Sequence, residues 1–177
     1  MTGLEFTIRP ARPVELPYAI EIDDVSFKLF ATVGLLVEVA DDHPFVVAER
    51  EIWRQAAERG DLYLAIVDDE PVGFAALGAS DGHASLEQLA VLPEYGRHGI
   101  GRALIEHVCE VCRRRGETEL WLTTYAHVAW NRPYYERADF EVVPESECGP
   151  QLRATLAAQR AVLLAPEQRI AMRRRLT

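Results

Sequence analysis

The apolar positions of this chain change period several times, and each change marks an element. Phe6 and Ile8 alternate with polar neighbours and predict a first strand that Pro10 closes. Over residues 14–33, Leu16, Ile20, Phe27 and Phe30 recur at roughly helical intervals and predict one long helix. A second helix is expected to open near Asp42 and Pro44, to turn Phe45, Ala48, Ile52 and Ala56 inward, and to stop at Gly60. The period then shortens. Leu62–Val67 and residues 71–78 and 84–92 read as short apolar strands, separated by Asp68-Asp69-Glu70 and Ser80-Asp81-Gly82, which is hairpin-turn chemistry. A helix over 101–115 ends at Gly116, and the β-rich run Glu119–Tyr125 follows it. A short helix over 131–137, a strand over 140–143, a helix over 151–162 and a strand over 168–176 complete the order. The class is α+β, with a mixed, mostly antiparallel sheet flanked by helices. No repeat or low-complexity tract interrupts it, so residues 1–177 are expected to form a single domain.

Composition narrows the functions available. With 49% hydrophobic residues the chain can build a proper core, and no apolar run of about eighteen residues predicts a membrane span. The first ten residues lack a basic start followed by an apolar run, so a cytoplasmic location is expected. A formal charge of −9, from 28 acidic and 19 basic residues, repels nucleic acid and anionic membranes as partners. Cys109 and Cys112 form a CxxC inside a helical pattern with no second ligand pair, which reads as buried helix residues. His43, His83, His107 and His127 show no ligand spacing, so no metal is assigned.

The most informative stretch is EYGRHGIGRALIEH, residues 94–107, where two glycines open an apolar-periodic helix directly after a strand. A helix N-terminus offers unpaired N–H groups and the positive end of the dipole, together a site for phosphate. Gly99 and Gly101 let a ligand approach that backbone, a positive φ there would help to turn strand into helix, and Arg97 and Arg102 add countercharge. The simpler alternative is a tight turn between closely packed elements. No GxxxxGK[ST] loop is present, and Leu104 stands where a dinucleotide fingerprint needs Gly or Ala. The G-x-S-x-G match at Gly78–Gly82 lacks the strand–turn–helix context of a hydrolase elbow, because strand-like sequence resumes at once.

The run LEQLAVLPEYGRHGIGRALIEHV resembles the acyl-CoA binding core of the GCN5-related N-acetyltransferases (GNAT), and TTYAHVAWNRPYYERADF resembles the C-terminal motif of many bacterial members. Together they cover residues 86–140 in the family's order. Two positions depart from its pattern. Gly96 stands where members carry Gln or Arg, with Arg97 one place later, and Asp139 replaces the Gly before Phe140.

The resemblance implies that acetyl-CoA lies in a cleft where the strand over 84–92 splays from Glu119–Tyr125, and that an amine attacks the thioester directly. Backbone groups of Leu89, Ala90 and Val91 would then bind the pantetheine arm and polarise the carbonyl. The loop and first turn, Arg97, His98, Gly99, Ile100, Gly101, Arg102 and Ala103, would hold the pyrophosphate. Glu87 is the candidate general base, its alternative being a solvated strand residue. Tyr135 is the candidate acid for the leaving thiolate, its alternative a packed aromatic, as Tyr134 is expected to be. Asn131 would bond the pantetheine amides or serve as an N-cap. Tyr18, Asp23, Asp24, Glu38 and Trp130 are expected near an acceptor amine, on a small molecule or a peptide. A monomer or homodimer is expected. Two other classes remain: a non-catalytic acyl-CoA sensor, and a dinucleotide-binding protein.

Overall fold

A computed structural model describes residues 3–177 as one seven-stranded sheet flanked by helices on both faces. The strands are β1 (Thr7–Pro10), β2 (Leu62–Val67), β3 (Glu70–Ser80), β4 (His83–Val91), β5 (Glu119–Tyr125), β6 (Glu141–Val143) and β7 (Arg169–Arg175). The helices are α1 (Leu16–Phe27), α2 (Pro44–Arg59), α3 (Ile100–Arg114), α4 (Arg132–Glu136) and α5 (Pro150–Val162). The order β1-β2-β3-β4-β5-β7-β6 is antiparallel throughout except where β4 meets β5. Both hairpin turns are left-handed at their centres, Asp68 and Asp69 at φ 48° and 65°, Asp81 and Gly82 at 52° and 79°, as type I′ turns require. The Ser80 motif is therefore the end of a hairpin arm.

Alternation splits the sheet into two faces. Leu62, Leu64, Phe74, Ala76 and Ala90 pack under α1 and α2 with Ala19, Ile22 and Trp53. On the other face Tyr63, Ala65, Val72, Ala75 and Leu86 pack against Ile100, Leu104, Ile105 and Val108 of α3. Cys109 and Cys112 are free and buried in this second core, as their place in the helical period predicts. Among the described residues no helix is long and apolar enough to cross a membrane, and no group of His, Cys, Asp and Glu could hold a metal ion.

Three sequence expectations need correction. The long helix over 14–33 is α1 followed by a 3-10 stretch, Lys28–Val33, that ends at Gly34 with φ 70°. A three-residue repeat places i and i+3 in line, and Phe27 and Phe30 meet there at 5.2 Å. In α2 the inward stripe is Glu49, Arg50, Trp53, Ala56 and Ala57, leaving Ala48 and Ile52 exposed. Trp53, stacked edge-on against Phe74, fixes that rotation, and two charged side chains are thereby turned toward the sheet. The cap is the ring of His43, which accepts the Phe45 N–H at 3.1 Å, rather than an acidic residue.

Candidate active site

β4 and β5 are in register at only two places, Ala84 with Leu120 and Ser85 with Trp121. Beyond Ser85 they diverge, and a cleft of about 1320 Å³ opens between them on the α1/α2 face. Leu92 donates its N–H to Val72 of β3, so by strand alternation Ala90 also faces β3 while Leu89 and Val91 present their backbone to the gap. The Leu89 N–H is held by the Oε1 of Gln88 at 3.0 Å, and the Val91 carbonyl accepts the Ser26 hydroxyl at 3.0 Å. Of the three residues expected to bind a pantetheine arm, Leu89 and Val91 turn backbone to the gap, and Ala90 is paired with Phe74 of β3 instead.

The loop after β4 brings a row of unpaired N–H groups to one end of the cleft. Gly99 has φ 82° and caps α3 without a side chain, and no acceptor among the described residues takes the N–H of Gly99, Ile100, Gly101 or Arg102. The Ala103 N–H is already given to the Gly99 carbonyl at 2.9 Å. Gly101 has a different reason to be glycine: a Cβ there would stand 2.5 Å from the Tyr134 hydroxyl, which rests on the first turn of α3. Gly96 closes a tight turn and is extended, so the side chain that reaches the cleft is that of Arg97, held at φ 63°. Arg102 donates Nε to Glu106 and Nη1 to the Arg137 carbonyl, so its guanidinium is partly engaged. His98 is exposed and, like Ala103, lies outside the cleft lining.

Glu87 sits on a β-bulge. Gln88 pairs with Ala76 and Leu86 with Leu77, so Glu87 is the unopposed extra residue and is aimed differently from its neighbours. Its side chain lies across Gly78, where a Cβ would meet its Cγ and Oε1 at 2.8 Å. Burial pushes its pKa up, against the Ser85 hydroxyl and the charge of Arg59. On the opposite wall α4 ends in a Schellman motif: Phe140 donates to the Tyr135 carbonyl at 3.0 Å and Asp139 to that of Glu136 at 3.1 Å. Asp139 is left-handed, φ 65°, at the position glycine normally takes. The motif and the Phe140 ring, 5.7 Å away, fix Tyr135. Its hydroxyl has no partner among the described residues, and desolvation pushes its pKa up. Asn131 makes no side-chain cap and lines the cleft.

Of the residues expected near an acceptor, Asp23, Asp24, Glu38 and Trp130 line the cleft and Tyr18 does not. The lining also holds residues that sequence reasoning missed, namely Glu49, Arg50, Gln88, Thr123, Gln159 and Arg169. Burial lifts both Asp23 and Glu49 to about 7, and Glu49 adds to the shift at Asp23. Gln88 donates to Asp23 at 2.7 Å. Polar residues on the inward stripe of α2 were the available signal for Glu49 and Arg50; Arg169 had none.

A splayed parallel pair, a glycine-opened helix beneath it and a tyrosine on the far wall form one constellation. The sequence profile of the Acetyltransferase (GNAT) family matches residues 29–140. The chain belongs to the GNAT family. An acetyltransferase of the GNAT family from Staphylococcus aureus superposes with a TM-score of 0.73 at 16% identity, covering 98% of this chain and 100% of that one. PaiA N-acetyltransferase from Thermoplasma acidophilum, in complex with coenzyme A, superposes at 0.71 and 17%, covering 97% and 99%. The [Ribosomal protein bS18]-alanine N-acetyltransferase of Escherichia coli is 32% identical over 98 residues, 55% of this chain. That match spans 66% of the relative, just under two thirds of its length. The GNAT sheet, α+β class and splayed strand pair expected from the sequence are all present.

Proposed function

We propose that this chain, as a single domain, transfers the acetyl group of acetyl-CoA to a primary amine by direct attack within a ternary complex. The observation that carries the reading is the gap between β4 and β5, which unites strand backbone that no neighbouring strand pairs, unpaired N–H groups of α3 and the Tyr135 hydroxyl in one cleft. The donor set suits the ligand: α3 amides and Arg97 for the pyrophosphate, the Val91 backbone and Asn131 for the pantetheine amides. When bound, acetyl-CoA supplies an activated acyl group, so the chain needs no nucleophile of its own.

The protein's task is to position groups and to move two protons. Glu87, with its carboxyl lifted by burial, accepts the proton of the incoming ammonium directly or through water. The Leu89 N–H, once Gln88 swings aside, donates to the carbonyl oxygen as charge develops there. Tyr135 stays a phenol at neutral pH and gives its proton to the departing sulfur. From ordinary values near 10 and 8.5 that transfer is uphill by roughly 2 kcal/mol, and the burial that raises Tyr135 adds to this cost. The reading places the enzyme in the cytoplasm, where thiols stay reduced, and its three cysteines are free.

Calorimetric titration with acetyl-CoA, with NAD as the control, tests the site, and thiol release over a panel of amines tests the reaction. Saturable binding of acetyl-CoA alone, with turnover, is expected. Tyr135→Phe should lower kcat by about tenfold or more and change acetyl-CoA affinity less than about twofold. Binding without turnover of any amine would make the chain a sensor, and no binding would end the proposal.

A further inference from the structure

Arg169, on β7, is a charged side chain placed where charge is costly. It is only 8% exposed, yet it lines the cleft. Its guanidinium is held on one side alone: Nε and Nη2 donate to the Gln159 Oε1 at 3.2 and 2.9 Å, and Nη2 also reaches the Thr123 hydroxyl at 3.3 Å. The Tyr125 ring supports it from below at 4.7 Å. The hydrogen bonds use Nε and Nη2, and Nη1 makes no hydrogen bond among the described residues. A buried guanidinium normally finds a carboxylate, because the fork matches that geometry and desolvation is otherwise uncompensated. Here a carboxylate of the same cleft, Glu49 on α2, feels its charge but makes no ion pair or hydrogen bond with it among the described residues. Both charges belong to one cavity, and neither satisfies the other.

An object that bridges such a pair carries a cation and an anion a few bonds apart. We infer that the acceptor is a small zwitterion, an amine with a carboxylate close by as in a free amino acid, whose carboxylate is received by Nη1 of Arg169 while its ammonium enters beside Glu49 and Glu87. The inference rests on the acetyltransferase reading and names the acceptor of that same site. Three arrangements support it. Gln159 and Thr123 fix the guanidinium before any ligand arrives, so little rotamer freedom is lost on binding. Tyr135, the candidate acid, lines the same cleft as Arg169, Thr123 and Gln159, so the anion site and the reacting end share one cavity. The pyrophosphate has its own donors at α3, so Arg169 is not needed for it.

The experiment compares matched acceptors: the standard amino acids, their primary amides and their decarboxylated amines, each assayed by thiol release from acetyl-CoA. At least one amino acid should exceed its amide and its amine in kcat/KM by about tenfold or more, the usual worth of a charged hydrogen bond. Arg169→Gln should bring that ratio close to one. Because Arg169 also supports the core, Gln159→Ala provides the milder variant, leaving the guanidinium but untying it; the same ratio should fall while acetyl-CoA affinity measured by calorimetry is retained. Failure of acetyl-CoA to bind the wild-type protein would remove the acetyltransferase reading itself. If acetyl-CoA binds, then amides or plain amines accepted as well as the acids, or no acid accepted at all, overturn the zwitterion inference alone. Arg169→Gln slowing every amine alike would assign Arg169 to the acyl-transfer step and overturn it too.

Discussion

At the residue scale, the position of the candidate base depends on a missing methyl group. Glu87 reaches its place because the bulge frees it from the ladder and because Gly78 leaves room beneath its Cγ. Gly78 is not left-handed, so Gly78→Ala should fold and instead displace the carboxylate. We expect kcat/KM to fall by about tenfold, with acetyl-CoA affinity and cooperative melting retained, as read by steady-state kinetics and calorimetry. Unchanged kcat/KM would show that the placement of Glu87 is immaterial. The sequence motifs located Glu87, Tyr135 and the α3 glycines because those residues lie within a continuous stretch whose local chemistry is self-explanatory. Arg169 was invisible for the opposite reason. It follows Tyr135 by one strand and one helix, its partners Gln159 and Thr123 come from separate elements, and its own strand carries charged residues with no motif around them.

At the element scale, α4 is only five residues long, and its last turn is closed by Asp139 in the left-handed region. Glycine adopts that conformation without a Cβ penalty. Asp139→Gly should therefore stabilise the protein by about 0.5–1 kcal/mol in urea unfolding; the contacts it would lose, to Arg102 at 3.7 Å and Arg174 at 3.8 Å, are those of an exposed carboxylate. Destabilisation would mean that those contacts outweigh the backbone strain. The strands, α3 and the turns were legible because period, turn residues and glycine stops agree there. The rotation of α2 was not. A helix that must present Glu49 and Arg50 to a cleft breaks the rule that its inward face is apolar, and sequence patterning fails at that point because the site requires it.

At the scale of the whole molecule, the open cleft and the closed core respond to pH in opposite senses. Asp23 and Glu49 titrate at about 7, above their ordinary 3.8 and 4.5, so their contribution to stability is present below about pH 4 and is lost as pH rises toward 7. Glu15, buried and paired with Arg9 at 2.7 Å, is held far below its ordinary value, so its contribution is present above pH 4.5 and lost in acid. Glu49→Gln should stabilise the protein at pH 8 by on the order of 1–3 kcal/mol and do little at pH 4, measured by denaturant midpoints at the two pH values. A gain of equal size at both would rule out the ionised carboxylate as its cause. The parallel junction of β4 and β5 has a further consequence. On one face α3 packs across both halves of the sheet, whereas on the other the seam between them is left open beneath α1 and α2. The molecule is built like a book with α3 as its spine, and the pages on the other side are walled by α1 and α2, which lie across the sheet from it. On the proposed reading, such a scaffold could exchange one clientele for another by rewriting α1 and α2, while the elements assigned to the thioester stay as they are.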